Sequence, residues 1–480
     1  MNRVLCILVI ILAIGTLSAQ NTLQINGLNE ASFTYRTAED SLNAYFRDAF
    51  AWSMNYRDFS FGMKFVAELP KYSTNQSELL GDLVSNKLDM DWKELFVSYS
   101  KDSFKVHAGT IMETFGVGMN FRSWEDLEFD KDNRIDGFLT SYDNKLKLKA
   151  LYGAIANIDN PAIYDLAYGA DAQYPLFDAL SLGATALTYR TYTPFNTYNQ
   201  QDVFGGRGLI SYGNFDAAVE YSQTELYKNN GISRDGTAIY ANANLYLHPF
   251  QFGAAYKNYQ DFFFRLQDLP AVNYHNETLA DNQASGIDEE GAQGWITWNM
   301  NENWSLTGNY AEAWDSEFGK RMNDIYTALE WEDGYKLLGL EYSHVEKVDT
   351  DLDQWQAEMT PGLHGGTMLW GKMITTKAEY KYVEKRKHEI TSSHYEPKLQ
   401  ADFSIGDVAL SLGVQSHWTE VSELMDALYW TNVEAKYSLF EHTDLLVFAG
   451  KDAGGKVCRN GTCRYVAPFK GVKVELSTRF

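Results

Sequence analysis

Apolar and polar residues alternate with a period of two along most of this chain. The pattern is clearest at 23–35, 59–69, 146–152 and 338–342. Because successive side chains of a β-strand point to opposite faces, each such segment has one apolar and one polar face. Helical spacing of apolar residues is hard to find, so the alternation predicts an all-β protein.

Short and long connections follow one another between these segments. Tight turns are predicted at Arg57-Asp58, Lys101-Asp102, Asp143-Asn144, His248-Pro249, Asn301-Glu302, Asp333-Gly334 and Gly406-Asp407. Longer connections are predicted at 70–91, 116–133, 191–202, 226–235, 260–290 and 452–467, and 360–366 is predicted to be irregular. Transmembrane barrels have short turns on one rim and longer loops on the other. The order therefore predicts a transmembrane antiparallel up-and-down β-barrel of about 24 strands, within a range of 22–26.

A soluble sandwich or propeller is the alternative all-β fold. A propeller would repeat a motif every 40–50 residues or so, and the sequence shows no such repeat. Aromatic residues make up 15% of the chain, which suits the aromatic girdles of a membrane barrel. Trp295, Trp298 and Trp304 flank one predicted turn and are candidate girdle residues.

The first twenty residues have the order of a secretory signal peptide. Arg3 supplies a positive charge, residues 4–17 are almost entirely apolar, and Ser18 and Ala19 are small. This order predicts cleavage after Ala19, which assigns residues 1–19 to a signal peptide and 20–480 to the barrel.

The last ten residues form a clean alternating strand. Val472, Val474, Leu476 and the terminal Phe480 share one face, and charged residues dominate the other. This end resembles the last strand of bacterial outer-membrane β-barrel proteins. The resemblance implies an outer-membrane lipid environment and a terminal Phe480 that is read by the barrel-assembly machinery, which can pair with such a strand by strand addition.

Two further blocks resemble an uncharacterised porin-like outer-membrane family. The first is Phe115-Gly116-Val117-Gly118-Met119 with Arg122-Ser123-Trp124-Glu125-Asp126, and the second is the segment from Cys458 through Pro468 to Phe480. The resemblance implies a barrel over the mature chain and assigns no reaction.

Cys458 and Cys463 flank an Asn-Gly pair, which favours a two-residue hairpin turn. That register puts the two cysteines opposite each other in a non-hydrogen-bonded pair, where Cα atoms approach to about 4.5 Å. This separation lies near the lower end of the disulfide range. We predict a disulfide here and disfavour metal binding.

Three rows of charged residues alternate with apolar ones. They are Lys145, Lys147 and Lys149; Lys377, Glu379, Lys381 and Lys385; and Lys473, Glu475 and Arg479. With the apolar faces toward lipid, these side chains are expected to face the lumen. They would either set the selectivity of a pore for anionic or polar solutes, or pair with acidic neighbours and fill the interior.

The longer connections are acidic and aromatic. One holds Glu125, Asp126, Glu128, Asp130 and Asp132, and another holds Phe262, Phe263, Phe264, Tyr274, His275, Asp288, Glu289 and Glu290. One hypothesis is a divalent-cation or ligand site at the outer mouth. Neither Asp130 nor Asp349 begins a complete EF-hand loop, so no metal ligand is assigned. The alternative is a solvated loop, which would fold inward as a partial plug.

Composition and motifs exclude several functions. A net charge of −23 disfavours nucleic acid as a partner. The sequence lacks the common hydrolase, phosphate-loop and haem motifs, and His388 and His394, in a predicted connection, are weak enzyme candidates. We therefore expect no enzyme, no catalytic residue and no cofactor. The prediction is porin-like passage or binding of a small solute; the alternative is a membrane scaffold for a secretion, adhesion or electron-transfer partner.

Overall fold

A computed structural model describes residues 23–38, 41–72, 83–126, 131–193, 197–228, 231–279, 286–419, 428–459, 462–466 and 468–480. The predicted signal peptide lies outside the described residues. No helix of the described part is long and apolar enough to cross a membrane.

The described chain forms one closed sheet of 24 antiparallel strands, with no helix among these residues. The strands are Gln24–Ala38, Ser41–Tyr56, Phe59–Leu69, Asp89–Lys101, Phe104–Ile111, Ile135–Asp143, Lys147–Ala156, Tyr164–Phe177, Leu180–Tyr192, Tyr198–Tyr212, Phe215–Lys228, Gly231–Leu247, Phe250–Gln260, Asp288–Asn299, Trp304–Trp314, Lys320–Asp333, Lys336–Asp349, Gln354–Leu369, Lys372–Lys387, Ile390–Ile405, Val408–His417, Leu428–Phe440, Thr443–Asp452 and Phe469–Arg479.

Each strand pairs with the next along the chain, and the last pairs with the first. Leu28 pairs with Arg479 at one end of this closing ladder, and Arg36 pairs with Gly471 at the other. Closure gives every strand two hydrogen-bonded neighbours, so the sheet has no free edge. The predicted up-and-down barrel and its strand number are confirmed.

The two rims of the barrel differ. The rim that carries Leu23 and Phe480, here called the short-turn rim, is built from connections of two to four residues. The predicted tight turns lie on this rim within one residue of their expected positions. Gly334 and Gly406 have φ of +63° and +59° there, a backbone conformation that glycine adopts without steric cost. The opposite rim, here called the loop rim, carries the longer connections.

Two predicted loop-rim connections are shorter than expected. The strand that ends at Tyr192 is followed by one that begins at Tyr198, and Lys228 is followed by a strand from Gly231. The segments 191–202 and 226–235 are therefore mostly strand. Their polar residues misled the prediction because they bond across strands: Thr188 Oγ1 donates to Asp202 at 2.6 Å.

The prediction of an irregular stretch at 360–366 is wrong. Gln354–Leu369 is one strand that runs through Pro361. Pro361 pairs with Tyr342 on one side, while on the other side the ladder skips from Met359 to Gly362. The proline, which has no N–H, lies at that gap. Gly362 makes room for the Glu341 side chain, which lies 2.5 Å from where a Cβ would stand.

Small two-stranded hairpins decorate the loop rim. They are Lys71–Tyr72 with Leu83–Ser85, Glu113–Phe115 with Phe121–Ser123, Glu125–Asp126 with Lys131–Asp132, and Gly455–Arg459 with Thr462–Val466. The second of these is turned into the lumen, as described below.

The outer face of the barrel is apolar. Exposed large side chains alternate along the strands and include Phe33, Val97, Phe138, Tyr152, Leu182, Phe204, Val219, Phe252, Ile296, Tyr310, Leu340, Leu363, Leu399, Leu412 and Val433. Trp298 lies on this face and stacks on Phe250, with ring centroids 5.7 Å apart. Trp304 is also outward, 6.4 Å from Trp331. Trp295 is not a girdle residue, because it shares the inward face with Glu289 and lies over Gly253.

Candidate functional site in the lumen

Two connections from the loop rim fold into the barrel. The first inner segment, residues 112–123, follows Phe104–Ile111, and the second inner segment, residues 261–279, follows Phe250–Gln260. Phe115, Met119, Phe121, Phe262 and Leu266 from these segments are fully buried. Their burial places both segments against the inner wall, as the partial-plug alternative expected.

The first inner segment is held deep in the lumen by one carboxylate. Glu220 Oε2 accepts the Val117 N–H at 3.0 Å, and Oε1 accepts the Asn120 amide at 2.6 Å. Glu220 is buried and lies five residues from the short-turn rim at Phe215. Gly116, with φ of +58°, lies where a Cβ would meet the Glu220 carboxylate at 2.3 Å. The Gly116-Val117 pair, quoted above for its family resemblance, thus allows the close approach to Glu220.

The two inner segments are joined to each other. The Asp268 N–H donates to Gly118 O at 3.0 Å, and the Arg122 N–H donates to Leu266 O at 2.8 Å. The Arg122 guanidinium also pairs with the Asp268 carboxylate. Backbone and charged contacts together make the pair a single inner layer, and hydrogen bonds to charged groups contribute about 1.5–3 kcal/mol each.

The second inner segment reaches the wall on both of its sides. On one side Arg265 donates to Ala156 O at 2.5 Å, and Gln201 donates to Phe263 O at 3.1 Å. On the other side Tyr274 stacks on Tyr326 with centroids 3.8 Å apart, and Lys347 pairs with Glu277 at 2.5 Å. The segment therefore bridges from the strand Lys147–Ala156 to the strand Lys336–Asp349.

An apolar core fills the space between the inner layer and this part of the wall. It combines inner-segment residues with the inward residues Ile111, Ile135, Leu139, Leu151, Ile155, Ala167, Leu187, Tyr189, Val203, Ala238 and Tyr259. Phe115 and Phe121 meet within it at 4.9 Å between centroids. Full burial of each such side chain contributes roughly 1.5–3 kcal/mol, so the layer is a packed part of the fold.

His275 fastens the second inner segment to the wall. Its Nδ1 lies 2.7 Å from Asp324 Oδ1, its Nε2 lies 2.8 Å from Ser343 Oγ, and its N–H donates to Asp324 Oδ2 at 2.9 Å. Burial lowers the pKa of His275, but the hydrogen bond to Asp324 and its negative charge outweigh burial and raise the pKa above the usual 6.5. The charged imidazolium form of His275 therefore binds Asp324 more strongly than the neutral form does, and so holds the second inner segment to the wall more strongly.

Buried ion pairs complete the wall beneath the inner layer. Arg207 binds Asp171 through two bonds of 2.6 and 2.7 Å. Lys257 pairs with Glu289, and both are buried. Below the first inner segment, Thr114, Lys147, Lys149, Asp171, Arg207 and Glu220 are among the residues lining a cavity of about 340 Å³.

The first two predicted charge rows lie mostly in pairs of opposite sign. Lys149 pairs with Glu113 at 2.9 Å, Lys147 lies 3.8 Å from Asp143, and Lys145 lies over the Tyr174 ring. Lys377 contacts Glu341 at 3.0 Å and Glu379 at 2.9 Å, and Lys381 pairs with Glu358. Lys385 lines a cavity of about 370 Å³ near the loop rim with Lys347, Arg386 and Lys387.

The third row lies on the closing strand. Lys473 lies 4.5 Å from the Phe469 ring centre. Glu475 pairs in register with Ser32, and Arg479 pairs with Leu28. The three rows lie on or next to three separate strands of the wall.

The terminal residues singled out from the sequence lie on the closing strand. Val472, Val474 and Leu476 pair with Tyr35, Phe33 and Ala31. Phe480 packs on Phe50, with ring centroids 5.9 Å apart. The role of this strand as an assembly signal stays a prediction.

The predicted cysteine hairpin has the expected backbone register. Cys458 is opposite Cys463, and Arg459 is opposite Thr462. The cysteine side chains lie outside the described residues, so the disulfide stays a prediction.

The acidic connection at 125–132 is held by cations of the chain itself. Arg134 binds Glu125 at 2.8 Å and Asp132 at 2.7 Å, and Lys64 also reaches Glu125 at 2.9 Å. Burial raises the pKa of Asp132, but its hydrogen bonds with Arg134 and the charge of that residue lower it overall. The side chains of 126–131 lie outside the described residues.

Of the two candidate enzyme histidines, His388 lies in a connection as predicted, and the placement of His394 is corrected. His388 lies in a two-residue turn, where its imidazole is 3.7 Å from Asp353. His394 lies within the strand Ile390–Ile405 rather than in a connection. The pattern could have shown this, since His394, Glu396, Lys398, Gln400 and Asp402 alternate with Tyr395, Pro397, Leu399 and Ala401.

A closed barrel with an apolar outer belt and a polar lumen defines a bacterial outer-membrane β-barrel protein. The family model described as Family of unknown function (DUF6029) matches residues 1–313. This match covers more than half of the chain, and the protein belongs to that family. No curated protein matches the sequence.

Solved structures share the fold at low sequence identity. The P pilus usher (PapC) translocation pore is 8% identical with a TM-score of 0.55, covering 95% of this chain and 99% of that one. The E. coli P pilus tip assembly intermediate PapC-PapD-PapK-PapG is 9% identical with a TM-score of 0.56, and the match covers 97% of this chain and 62% of that one. The siderophore receptor PirA from Pseudomonas aeruginosa is 10% identical with a TM-score of 0.48, covering 96% and 81%. The first two show the fold alone.

Proposed function

We propose that this protein is an outer-membrane channel for small polar solutes, narrowed by its two inner segments. The observation that supports this most is that, among the described residues, the inner layer packs along only one part of the wall. A barrel of 24 strands has a wider lumen than a porin of 16–18 strands, and the lumen of such a porin is already an aqueous channel. An inner layer on one side narrows such a lumen, and the opposite side is where we place the passage.

The opposite wall is polar and partly exposed. Inward side chains of the strands from Gln354–Leu369 to Leu428–Phe440 include Glu358, Lys377, Glu379, Lys381, Glu396, Lys398, Asp402, Glu434 and Lys436. Both signs of charge alternate here, and Lys377 and Lys381 are held by carboxylates. Interspersed charges give a weak net field, so we propose small polar or zwitterionic solutes with weak preference between cations and anions.

Liposome swelling with uncharged sugars and zwitterionic amino acids of increasing size tests this proposal. Liposomes containing the folded protein should swell in the smallest solutes and show a sharp size limit, whereas empty liposomes should not. Equal swelling with and without protein, from preparations that migrate as a folded barrel on unboiled gels, would contradict the proposal.

Lys377→Gln provides a selectivity control. It removes a partly exposed cation from the proposed passage, whereas Lys257→Gln would remove a buried one behind the inner layer. We expect Lys377→Gln to shift the relative rates of anionic and cationic solutes and to keep the folded band. We expect Lys257→Gln not to shift these rates.

A further inference from the structure

Two histidines and a glutamate meet on the inner wall near the loop rim. His394 and Glu396 are two residues apart in Ile390–Ile405, so their side chains share one face of the sheet. A bridge between Tyr395 and Trp418 extends the pairing with the next strand. This register places His417, the last residue of Val408–His417, opposite Glu396.

Both imidazoles approach the same carboxylate oxygen of Glu396. His394 Nε2 and His417 Nδ1 each lie 3.3 Å from Glu396 Oε1. The two imidazole rings are 4.5 Å apart between centroids. One donor atom from each residue can be chosen so that all three lie within 4.8 Å of one another. The side chains are 21–31% exposed, so the cluster is sheltered and still open to the lumen.

These separations match the size of a transition-metal site. Zinc bonds of about 2.0–2.2 Å to nitrogen and oxygen put neighbouring ligands of a tetrahedron about 3.3–3.6 Å apart. The two nitrogen-to-oxygen distances of 3.3 Å to Glu396 match the lower end of this range. Small rotations of the imidazoles would bring all three donors onto one ion.

The neighbouring cation Lys381 pairs with a different carboxylate, so the Glu396 carboxylate contacts the two histidines. Lys381 stands opposite Glu396 on the adjoining strand. Its ammonium pairs with Glu358. The carboxylate of Glu396 is directed instead at the two imidazoles. Two neutral imidazoles and one carboxylate form a ligand set suited to zinc, copper or nickel.

We propose that His394, Glu396 and His417 bind one divalent transition-metal ion in the lumen. Three protein ligands leave a fourth coordination position of a tetrahedral ion free. Because the cluster is partly exposed to the lumen, water or a solute could occupy that position. The site goes beyond the proposed passage and does not depend on it, because it needs only the folded wall.

Titration of Zn²⁺ into the purified barrel tests the site. The protein should carry no polyhistidine tag and should be folded in detergent, with binding measured by calorimetry and by competition with a chromogenic zinc chelator. We expect one Zn²⁺ per chain. The double variant His394→Ala, His417→Ala loses two metal ligands. Its dissociation constant for Zn²⁺ should rise by more than the roughly 10–100-fold seen when a group that only hydrogen-bonds to a metal ligand is lost.

Two further variants keep the test independent of folding defects. His364→Ala removes another histidine of the wall, whose ring lies over Gly339, and it should bind Zn²⁺ as the wild type does. Glu396→Gln keeps the size of the side chain and should weaken binding at least tenfold or so, with the unboiled gel band unchanged. The proposal is overturned by substoichiometric binding to wild type, by equal binding to the double variant, or by equal loss in His364→Ala.

Discussion

Phe480 lies directly over Gly27 and exchanges two backbone hydrogen bonds with it. The Gly27 N–H donates to Phe480 O at 2.8 Å, and the Phe480 N–H donates to Gly27 O at 3.1 Å. The Phe480 ring occupies the place where a Cβ of residue 27 would stand, since the nearest ring atom is 2.1 Å from that point. The aromatic ring covers a strand glycine at the seam where the barrel closes.

Gly27→Val should weaken this seam. The new side chain must displace the Phe480 ring, and overpacking of this kind costs about 1–3 kcal/mol. The measurement is the temperature at which the folded band is lost on unboiled gels, and it should fall. Gly206→Val is the matched control, because nothing lies within 4 Å of its Cβ position, and its transition should stay near that of wild type. Equal transitions for all three proteins would contradict the role of the Phe480–Gly27 contact.

Glu220→Ala should release the first inner segment. The substitution removes both acceptors of Val117 and Asn120, and loss of hydrogen bonds to a charged group costs about 1.5–3 kcal/mol. Amide hydrogen exchange at residues 116–120 should accelerate about tenfold or more, since 1.4 kcal/mol corresponds to a factor of ten. Glu225→Ala, on the same strand but the opposite face, should leave this exchange unchanged. Unaltered protection in Glu220→Ala would show that the carboxylate does not hold the segment.

The contact of His275 with Asp324, which holds the second inner segment to the wall, should weaken at alkaline pH. The pKa of His275 is raised above 6.5 in the folded protein. Its stabilising effect is therefore full below the unfolded value and is lost as the pH rises through the raised one. Hydrogen exchange at 273–279, corrected for intrinsic rates, should show stronger protection at pH 6 than at pH 9. His275→Gln should abolish this difference, and the same difference in that variant would assign the effect to another group.

Cys458 and Cys463 should form a disulfide in the folded protein. Alkylation of the denatured protein should label neither Cys458 nor Cys463 before reduction and both after it, as read by mass spectrometry. The bond closes a short loop, so its reduction should change the thermal transition of the barrel little. Labelling of both thiols without reductant would contradict the prediction.

The strands were predictable because lipid and lumen impose a local pattern. Residues such as Phe33 and Leu340 alternate with polar neighbours, and tight turns such as Arg57-Asp58 mark one rim. Errors arose where local chemistry opposed the fold. Pro361 reads as a breaker, yet it occupies a gap in one ladder while the other continues.

The lumen site was less predictable because its contacts span long distances in sequence. Glu220 binds Val117, and Asp324 binds His275, and no periodicity links these residues. The histidine cluster needed the register between two strands. His394 and Glu396 share a parity that the sequence shows, but only the pairing of the two strands sets His417 opposite Glu396.

Single-channel conductance in planar lipid bilayers tests whether the inner segments narrow an open passage through the barrel. The wild-type protein should be compared with a variant in which a glycine-serine linker of equal span replaces residues 262–279. We expect stable conductance steps for wild type, with weak ion selectivity, and larger steps for the variant, because the inner layer narrows the lumen. Absence of steps from folded wild-type protein would contradict an open passage, and steps of the same size in both proteins would contradict its narrowing by residues 262–279.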